Sequence, residues 1–380
     1  MGTRKDTPGA RIGRLIEKVN AAAGSAENAR RKEAKPRISF GIEEPIAWTL
    51  VDGLDVPRYF ADPMYYAEQA LLQKLWRWEK FPDDGQPIEA VLPASLGFYP
   101  EYTYIGLRVE YTRRGVPEIQ ADHPISRDPD LRLLAPVDFP SSGWMPRALR
   151  WHEELTRIAA GRIAVPFAMT WWRGCLDLAV QLRGYEAFLS DTADRPGFLH
   201  ALLGFLVAER CRWWEAYSRH FGQPIGPTAV GDDWINVPFI SPDMFRDFVL
   251  PRYLDIERFH GGISAVHSCG NQAPVQRHLL SIRSLPGLEV SAWTDLGQSL
   301  ANIPAGKELW ISLHPNDVLC ATPREMEEKL ASIVEACRGR TFAIGTSGLT
   351  PLSADISEFV HRIRTWTGIA REVREKETTR

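Results

Sequence analysis

The sequence is poor in cysteine and has no strong excess of charge of either sign. Five of its 380 residues are cysteines, at positions 175, 211, 269, 320 and 337. An odd number of scattered cysteines is typical of reduced thiols in a cytoplasmic protein rather than of a disulfide framework. The formal net charge is -3, so the broad basic surface of a nucleic-acid-binding protein is not expected.

Long apolar runs are also missing. No stretch approaches the roughly 18 apolar residues of a membrane span, and the first residues are polar and charged rather than apolar. Neither a membrane partner nor an export signal is therefore expected. The composition is otherwise that of a globular protein, with 44% hydrophobic and 24% charged residues. Such a chain can form one large domain or two ordinary ones.

Helix and strand patterns alternate along most of the chain. Residues 1–37 predict an N-terminal helical arm, because apolar residues recur at helical spacing from Ile12 to Val19. Residues 38–380 form the second predicted unit, with an early β insert at 107–119. Further along, helical patterns alternate with strand patterns at 163–169, 228–231, 262–267, 288–293, 309–313 and 341–344. At least five strand–helix units in series predict an α/β fold with a parallel sheet or barrel.

The strand predicted at 262–267 ends in a pair of potential metal ligands, His267 and Cys269. Residues two positions apart on an ideal strand face the same way, and both side chains bind zinc in proteins. A tetrahedral site needs a third protein ligand, for which Cys320 is the nearest candidate. The alternative is a packed cysteine and a hydrogen-bonded histidine. Asn271, in the turn that follows, is a candidate substrate contact.

Polar residues also follow other predicted strands, and in parallel barrels the chemistry collects at the carboxyl ends of strands. Asp232 and Asp233 are candidates for an acid or base, or for turn and capping residues. His314 precedes a proline and is either a substrate contact or a loop residue. Ser347 follows the strand pattern at 341–344 and is a further candidate substrate contact.

Aromatic residues near these strand ends are candidate pocket walls. The sequence has 13 tryptophans, and Trp171 and Trp172 could enclose a flat or methylated ligand or pack in a helical core. Trp234, beside Asp233, is a candidate of the same kind. Glu43 lies in an otherwise apolar stretch and is either a substrate contact or one member of a solvated pair.

The order of four motifs resembles the uroporphyrinogen decarboxylase superfamily over roughly residues 90–370. The motifs are Ile-Ser-Pro-Asp-Met-Phe at 240–245, Val-His-Ser-Cys-Gly-Asn at 266–271, Pro-Asn-Asp-Val-Leu at 315–319 and Gly-Thr-Ser-Gly-Leu-Thr-Pro at 345–351. The stretches at 107–111 and 116–119 also resemble the early insert of that superfamily. The resemblance implies a (β/α)8 TIM barrel.

Within that superfamily the chain is similar to the corrinoid-linked, cobalamin-dependent methyltransferases. The Arg-rich N-terminal motif of the true decarboxylases is missing from 38–60. In the methyltransferases a His-x-Cys pair and a later cysteine bind zinc. His267 and Cys269 match the pair, but the third position falls at Ser347, a poor zinc ligand. Cys320 or His314 could substitute, an oxygen ligand could complete the site, or His267 could act without metal as an acid–base group or substrate contact.

The resemblance therefore implies a methyltransferase or demethylase that acts on a small molecule. A corrinoid protein would carry the methyl group, and zinc would be the metal. Two other functions remain open at this point. One is a decarboxylase or lyase for a small or aromatic carboxylic acid, with His267 or Asp232 as acid–base group. The other is a barrel that binds a ligand without catalysis.

Overall fold

The computed structural model describes residues 7–33, 38–82, 86–97, 100–112, 117–120 and 122–378. The first helices of the described chain are α1 Pro8–Ala23, α2 Ala26–Glu33, α3 Ile46–Val51, α4 Val56–Tyr59, α5 Pro63–Lys80, α6 Pro100–Tyr104, α7 Met145–Ala159, α8 Cys175–Arg183 and α9 Tyr185–Asp194. They are followed by α10 Pro196–Phe221, α11 Pro242–Met244, α12 Leu250–His260, α13 Gln276–Leu279, α14 Leu296–Asn302, α15 Asn316–Leu319, α16 Pro323–Ala336 and α17 Ile356–Thr378. A π-helical segment, Phe245–Val249, joins α11 to α12.

The strands are short, and most of their pairings are parallel. They are β1 Gly41–Ile42, β2 Arg108–Glu110, β3 Glu118–Gln120, β4 Thr228–Gly231, β5 Ile263–His267, β6 Gly287–Val290, β7 Glu308–Leu313, β8 Phe342–Thr346 and β9 Gly348–Leu349. The parallel pairs are β4 with β5, β6 with β7, β7 with β8, and β1 with β9. β2 and β3 form the antiparallel early insert predicted at 107–119, of which residues 113–116 lie outside the described chain.

Isolated parallel bridges extend the order of neighbouring segments. Ile38 pairs with Ile344 of β8, Val91 with Ala164, Ala94 with Phe167, and Arg173 with Gly231 of β4. The segment predicted as a strand at 163–169 thus makes single bridges rather than a continuous ladder. In the described chain no bridge joins β5 to β6, or residues 38–42 to residues 88–94. The fold is therefore mixed α/β with parallel segments in series, and a closed hydrogen-bonded barrel is not present among these residues.

Helix α5 covers the opening between residues 38–42 and 88–94. Its start is set by Asp62, whose Oδ1 accepts hydrogen bonds from the first free amide groups, and by Pro63 at the first helical position. Arg77 of this helix donates to the carbonyl oxygen of Phe40 at 2.7 Å. From the same helix, Tyr66 donates to the carbonyl oxygen of Pro93 at 2.6 Å. Side chains of one helix thus satisfy carbonyl groups on both sides of the opening.

The predicted N-terminal arm is built into the structure through α1. The helix extends beyond the predicted apolar spacing, and its apolar face, with Ile12, Ile16 and Val19, is fully buried. It lies against α5, and Arg11 forms an ion pair with Glu68 of that helix at 3.1 Å. Residues 1–6 and 34–37 of the arm lie outside the described chain. Within the described part, none of the helices combines the length and apolar character needed to cross a bilayer.

Candidate functional site

The site is organised around His267, the last residue of β5. Its Nδ1 lies 2.7 Å from Oε2 of Glu289, which is in the middle of the neighbouring strand β6. The carboxylate therefore fixes the ring, and Nε2 points away from β6. Burial lowers the pKa of His267, but the hydrogen bonds to Cys269 and Glu289 outweigh burial and raise this pKa to about 10.

Cys269 and Asp233 meet His267 at its free nitrogen. His267 Nε2 is 3.3 Å from Sγ of Cys269 and 3.7 Å from Oδ1 of Asp233. One ligand atom from each residue lies within 4.8 Å of the other two. Asp233 follows β4, which pairs in parallel with β5 so that Gly231 is opposite His267. We call Asp233, His267 and Cys269 the ligand group.

A buried arginine holds Asp233 in place. Nη1 of Arg173 contacts Oδ2 of Asp233 at 2.6 Å and Oδ2 of Asp177, on α8, at 2.8 Å. The other oxygen of Asp233, Oδ1, is buried and makes no hydrogen bond. Burial raises the pKa of Asp177 to about 6, even though Arg173 acts to lower it. One side of Asp233 is therefore neutralised, and the unpaired oxygen faces His267.

Asp232 has a different role from its neighbour. Its side chain is fully buried, and its Oδ2 accepts hydrogen bonds from Tyr253 at 2.9 Å and from the amide of Leu176 at 3.1 Å. Burial raises the pKa of Asp232 well above its ordinary value. Asp232 thus fixes the start of α8, the capping role weighed against an acid or base, and its part in catalysis stays a prediction.

The two adjacent tryptophans are also separated by the fold. Trp172 stacks on His267, with ring centroids 5.9 Å apart. This contact needs Gly231 on β4, because a Cβ there would lie 2.2 Å from the Trp172 ring. Trp171 is fully buried next to Tyr104. Trp171 is therefore part of the core, which was the alternative for this pair, and Trp172 alone borders the site.

Two cavities border the ligand group, one at His267 and the other at Asp233. The first, of about 640 Å³, is lined by His267, Glu289 and side chains of β7 and β8. The second, of about 600 Å³, is lined by Asp233, Asp177, the early insert and three aromatic residues, Tyr102, Trp234 and Phe239. The 3.7 Å contact between His267 and Asp233 lies where these cavities approach one another.

The remaining predicted substrate contacts lie at various distances from the ligand group. Trp234 stacks on Tyr185 with ring centroids 4.9 Å apart and lines the second cavity. Ser347 has its Oγ 3.4 Å from that of Ser312, which lines the first cavity. His314 contacts the exposed ring of Trp293.

Asn271, Glu43 and Cys320 are not brought into the ligand group. Oδ1 of Asn271 accepts a hydrogen bond from the amide of Ala273, as expected of a turn residue. The side chain of Glu43 lies over Gly348, and its amide donates to Leu349. Cys320 ends α15 with its thiol 3.8 Å from Oδ1 of Asn316. The group of ligand atoms in the described chain has Asp233, not Cys320, as its third member.

Sequence reasoning missed two residues that support the site, Glu289 and Arg173. A signal for Glu289 was present, because a carboxylate in the interior of an apolar strand pattern (Leu288-Glu289-Val290) requires a polar partner. Arg173 follows the tryptophan pair and has no comparable sequence signal. Its role depends on bringing α8 and the end of β4 together.

Comparison with known proteins gives a likeness of fold only. No protein-family model matches the chain, and no curated protein matches it. Among solved structures, it is similar to a methyltransferase from Methanosarcina mazei, with a TM-score of 0.62 and 15% sequence identity. The match covers 97% of this chain and 99% of that one. At this identity, we conclude that the chain has the overall fold of that protein over nearly its whole length.

Proposed function

We propose that the chain is a methyltransferase that moves a methyl group between a small molecule and a corrinoid carrier, with zinc held by the ligand group. The observation that carries this proposal is the arrangement of Asp233, His267 and Cys269 around one point at the carboxyl ends of β4 and β5. The motifs shared with the corrinoid-linked methyltransferases and the fold likeness to a methyltransferase support it. A (β/α)8 barrel of the uroporphyrinogen decarboxylase type, opened at two places, is part of the same proposal.

The donor set fits zinc in its chemistry and its spacing. Imidazole nitrogen, thiolate sulfur and carboxylate oxygen are the ligands that zinc takes in proteins, and catalytic sites use three protein ligands. Tetrahedral angles and usual bond lengths put zinc-bound nitrogen and sulfur about 3.5 Å apart, and nitrogen and oxygen about 3.4 Å apart. The distances from His267 Nε2, 3.3 Å to Cys269 and 3.7 Å to Asp233, are close to these values. Oδ1 of Asp233 is moreover a buried oxygen without a hydrogen bond.

Asp233 supplies the charge that Ser347 does not. A histidine with two cysteines carries two negative charges when its thiols are ionised, and a histidine with Cys269 and Asp233 carries the same number. A bound zinc ion would hold a substrate thiol as thiolate, or polarise a heteroatom that bears the methyl group. Arg173, which pairs with the other Asp233 oxygen, offsets part of the negative charge of Asp233, so the centre is less negative than one with two thiolates. A less negative centre favours polarisation of the heteroatom that bears the methyl group, and thus a methoxylated or N-methylated substrate.

The surrounding residues would orient the reacting groups. Glu289 fixes the ring of His267, as carboxylates do behind many zinc-bound histidines. Arg173 fixes Asp233, and Trp172 covers one face of His267. The cavity lined by Asp233, Trp234 and Phe239 has an aromatic wall for the small molecule. Phe239 and Trp293 are 42% and 52% exposed, and we propose that they contact the corrinoid carrier.

Metal content and methyl transfer test the proposal together. Protein purified with zinc is expected to contain about one zinc ion per chain by elemental analysis. Cys269→Ser and Asp233→Asn should lose most of it, whereas the matched variant Cys320→Ser should keep it. Wild-type protein should also accelerate the loss of the methyl group from methylcobalamin when 2-mercaptoethanol or a phenol is present as methyl acceptor. The reaction is measured by the change in cobalamin absorbance.

Full zinc retention in both ligand variants would overturn the metal assignment. Methylcobalamin that reacts no faster with the wild-type protein than with Cys269→Ser would overturn the methyl-transfer assignment. A wild-type protein that instead releases carbon dioxide from an aromatic carboxylic acid would favour the decarboxylase alternative, with His267 or Asp232 as the acid–base group.

A further inference from the structure

A third cavity lies away from the ligand group. It shares no lining residue with the two cavities that border the ligand group. It is about 210 Å³ in volume and is lined by Glu44, Pro45, Trp48, Tyr59, Phe60, Tyr66, Ser95 and Gly97. It is continuous in its lining with a larger cavity of about 500 Å³ under α5. The larger cavity occupies the opening between residues 38–42 and 88–94.

Four aromatic side chains form most of the wall, and we call Trp48, Tyr59, Phe60 and Tyr66 the aromatic cage. The rings brace each other: Tyr59 is 4.7 Å from Tyr66 and 5.1 Å from Phe60, measured between centroids. All four side chains are at least nine-tenths buried. The Tyr66 hydroxyl is bound to the carbonyl oxygen of Pro93, which fixes that ring.

The backbone conformation at Gly97 allows close packing against the cage. Gly97 has a φ of 84°, in the region that disfavours other residues. A Cβ at Gly97 would lie 3.0 Å from the edge of the Phe60 ring. The close approach of Gly97 to Phe60 narrows the cage at one end. The cage is therefore a preformed feature and not a gap left by loose packing.

Glu44 is the charged residue that lines the cage cavity within the described residues. Much of the Glu44 side chain is exposed, yet burial of its carboxylate raises the pKa of Glu44 and outweighs Trp48, Arg77 and Lys74, which act to lower it. Two cations line the larger cavity, but both have other partners. Lys74 donates to the carbonyl oxygen of Glu89 at 3.1 Å, and Arg77 donates to that of Phe40 and lies 4.4 Å from its ring centroid.

A carboxylate among aromatic faces is a site for a cation that is weakly hydrated. Ring faces attract cations, and aromatic cages recognise quaternary and methylated ammonium groups. A compact inorganic cation would need several oxygen ligands, which the cage lacks. We propose that the aromatic cage binds a small organic ammonium ion, with Glu44 as its counter-ion. This site does not depend on the proposed function of the ligand group.

Choline and its uncharged analogue 3,3-dimethyl-1-butanol, which has the same shape, test the proposal on the full chain. Binding is measured by calorimetry and by the fluorescence change of Trp48. Choline should bind saturably, and the neutral analogue should bind at least about tenfold more weakly, because it lacks both the cation–π attraction and the attraction to the counter-ion. This comparison needs no variant and is independent of folding defects.

Variants locate the binding. Glu44→Gln should weaken choline binding by about tenfold or more, and Trp48→Leu should weaken it and remove the fluorescence change. Glu43→Gln, at the adjacent position but directed over Gly348, should leave choline affinity unchanged. Equal binding of the neutral analogue, no saturable choline binding at millimolar concentration, or an unchanged affinity in Glu44→Gln would each overturn the proposal.

Discussion

The ligand group and the aromatic cage both place a carboxylate beside an enclosed cavity, but they stabilise it in opposite ways. One oxygen of Asp233 pairs with the buried Arg173, which also pairs with Asp177. The other side of Asp233 is near His267, whose ring is held by Glu289. Glu44 has rings on its cavity side, and burial raises its pKa although Arg77 and Lys74 act to lower it. Ion pairing fixes the first carboxylate in position, whereas the second lines a cavity in which a ligand cation could neutralise it.

The largest expected difference concerns the arginines of the two regions. Arg173→Met leaves Asp177 and Asp233 without their buried cation, which should lower the free energy of unfolding by about 3–5 kcal/mol. Arg77→Met, beside the cage, removes a hydrogen bond to the Phe40 carbonyl and should cost less, about 1.5–3 kcal/mol. Urea denaturation of both variants measures this. Equal losses of the free energy of unfolding in the two variants would show that Arg173 and its two carboxylates are not more tightly coupled than the residues beside the cage.

The second difference concerns metal affinity. Glu289→Gln weakens the anchor behind His267 and should reduce zinc affinity by about 10–100-fold, measured by competition with a chelator. Glu44→Gln is the control from the other region and should not change zinc affinity. A zinc affinity that is equal in Glu289→Gln and wild type would mean that the 2.7 Å contact has no role in positioning the ring.

The smallest expected effect is a pH dependence of stability at the cage. The pKa of Glu44 is raised in the folded protein, so the folded state binds more protons than the unfolded state above the ordinary value of 4.5. The free energy of unfolding therefore falls as pH rises through the folded pKa. Glu44→Gln removes this loss, and its melting temperature relative to wild type should increase from pH 4.5 to pH 8. A difference that is independent of pH would contradict the assignment.

The regular part of the fold could be predicted from the sequence, and the irregular part could not. Alternation predicted β4, β5 and the long helices, and spacing placed His267 and Cys269 on one face of a strand end. The pairing of Asp233 with His267 depends on the register of β4 and β5, which no local pattern specifies. The helix α8 was missed because its side chains are buried on nearly all sides, Asp177 and Arg183 included, and without a solvent-exposed polar face the pattern does not distinguish a buried helix from a strand.

The cage was missed for a related reason. Its walls come from the successive helices α3, α4 and α5 and from the loop at 95–97, and only the packing of these helices on one another brings the rings together. Single aromatic residues within helical patterns are typical of cores. Glu44 has no sequence signal of its own, because it lies in the turn that follows β1.

The unpaired edges at residues 38–42 and 88–94 have a consequence for association in solution. An unpaired strand edge can recruit another chain and lead to aggregation. Here Asn28 of α2 binds both the amide and the carbonyl oxygen of Ile88, and α5 binds carbonyl groups on both edges. Because α1 in turn packs on α5, the N-terminal helices protect the opening. Removing these helices would therefore expose a strand edge that can pair with another chain.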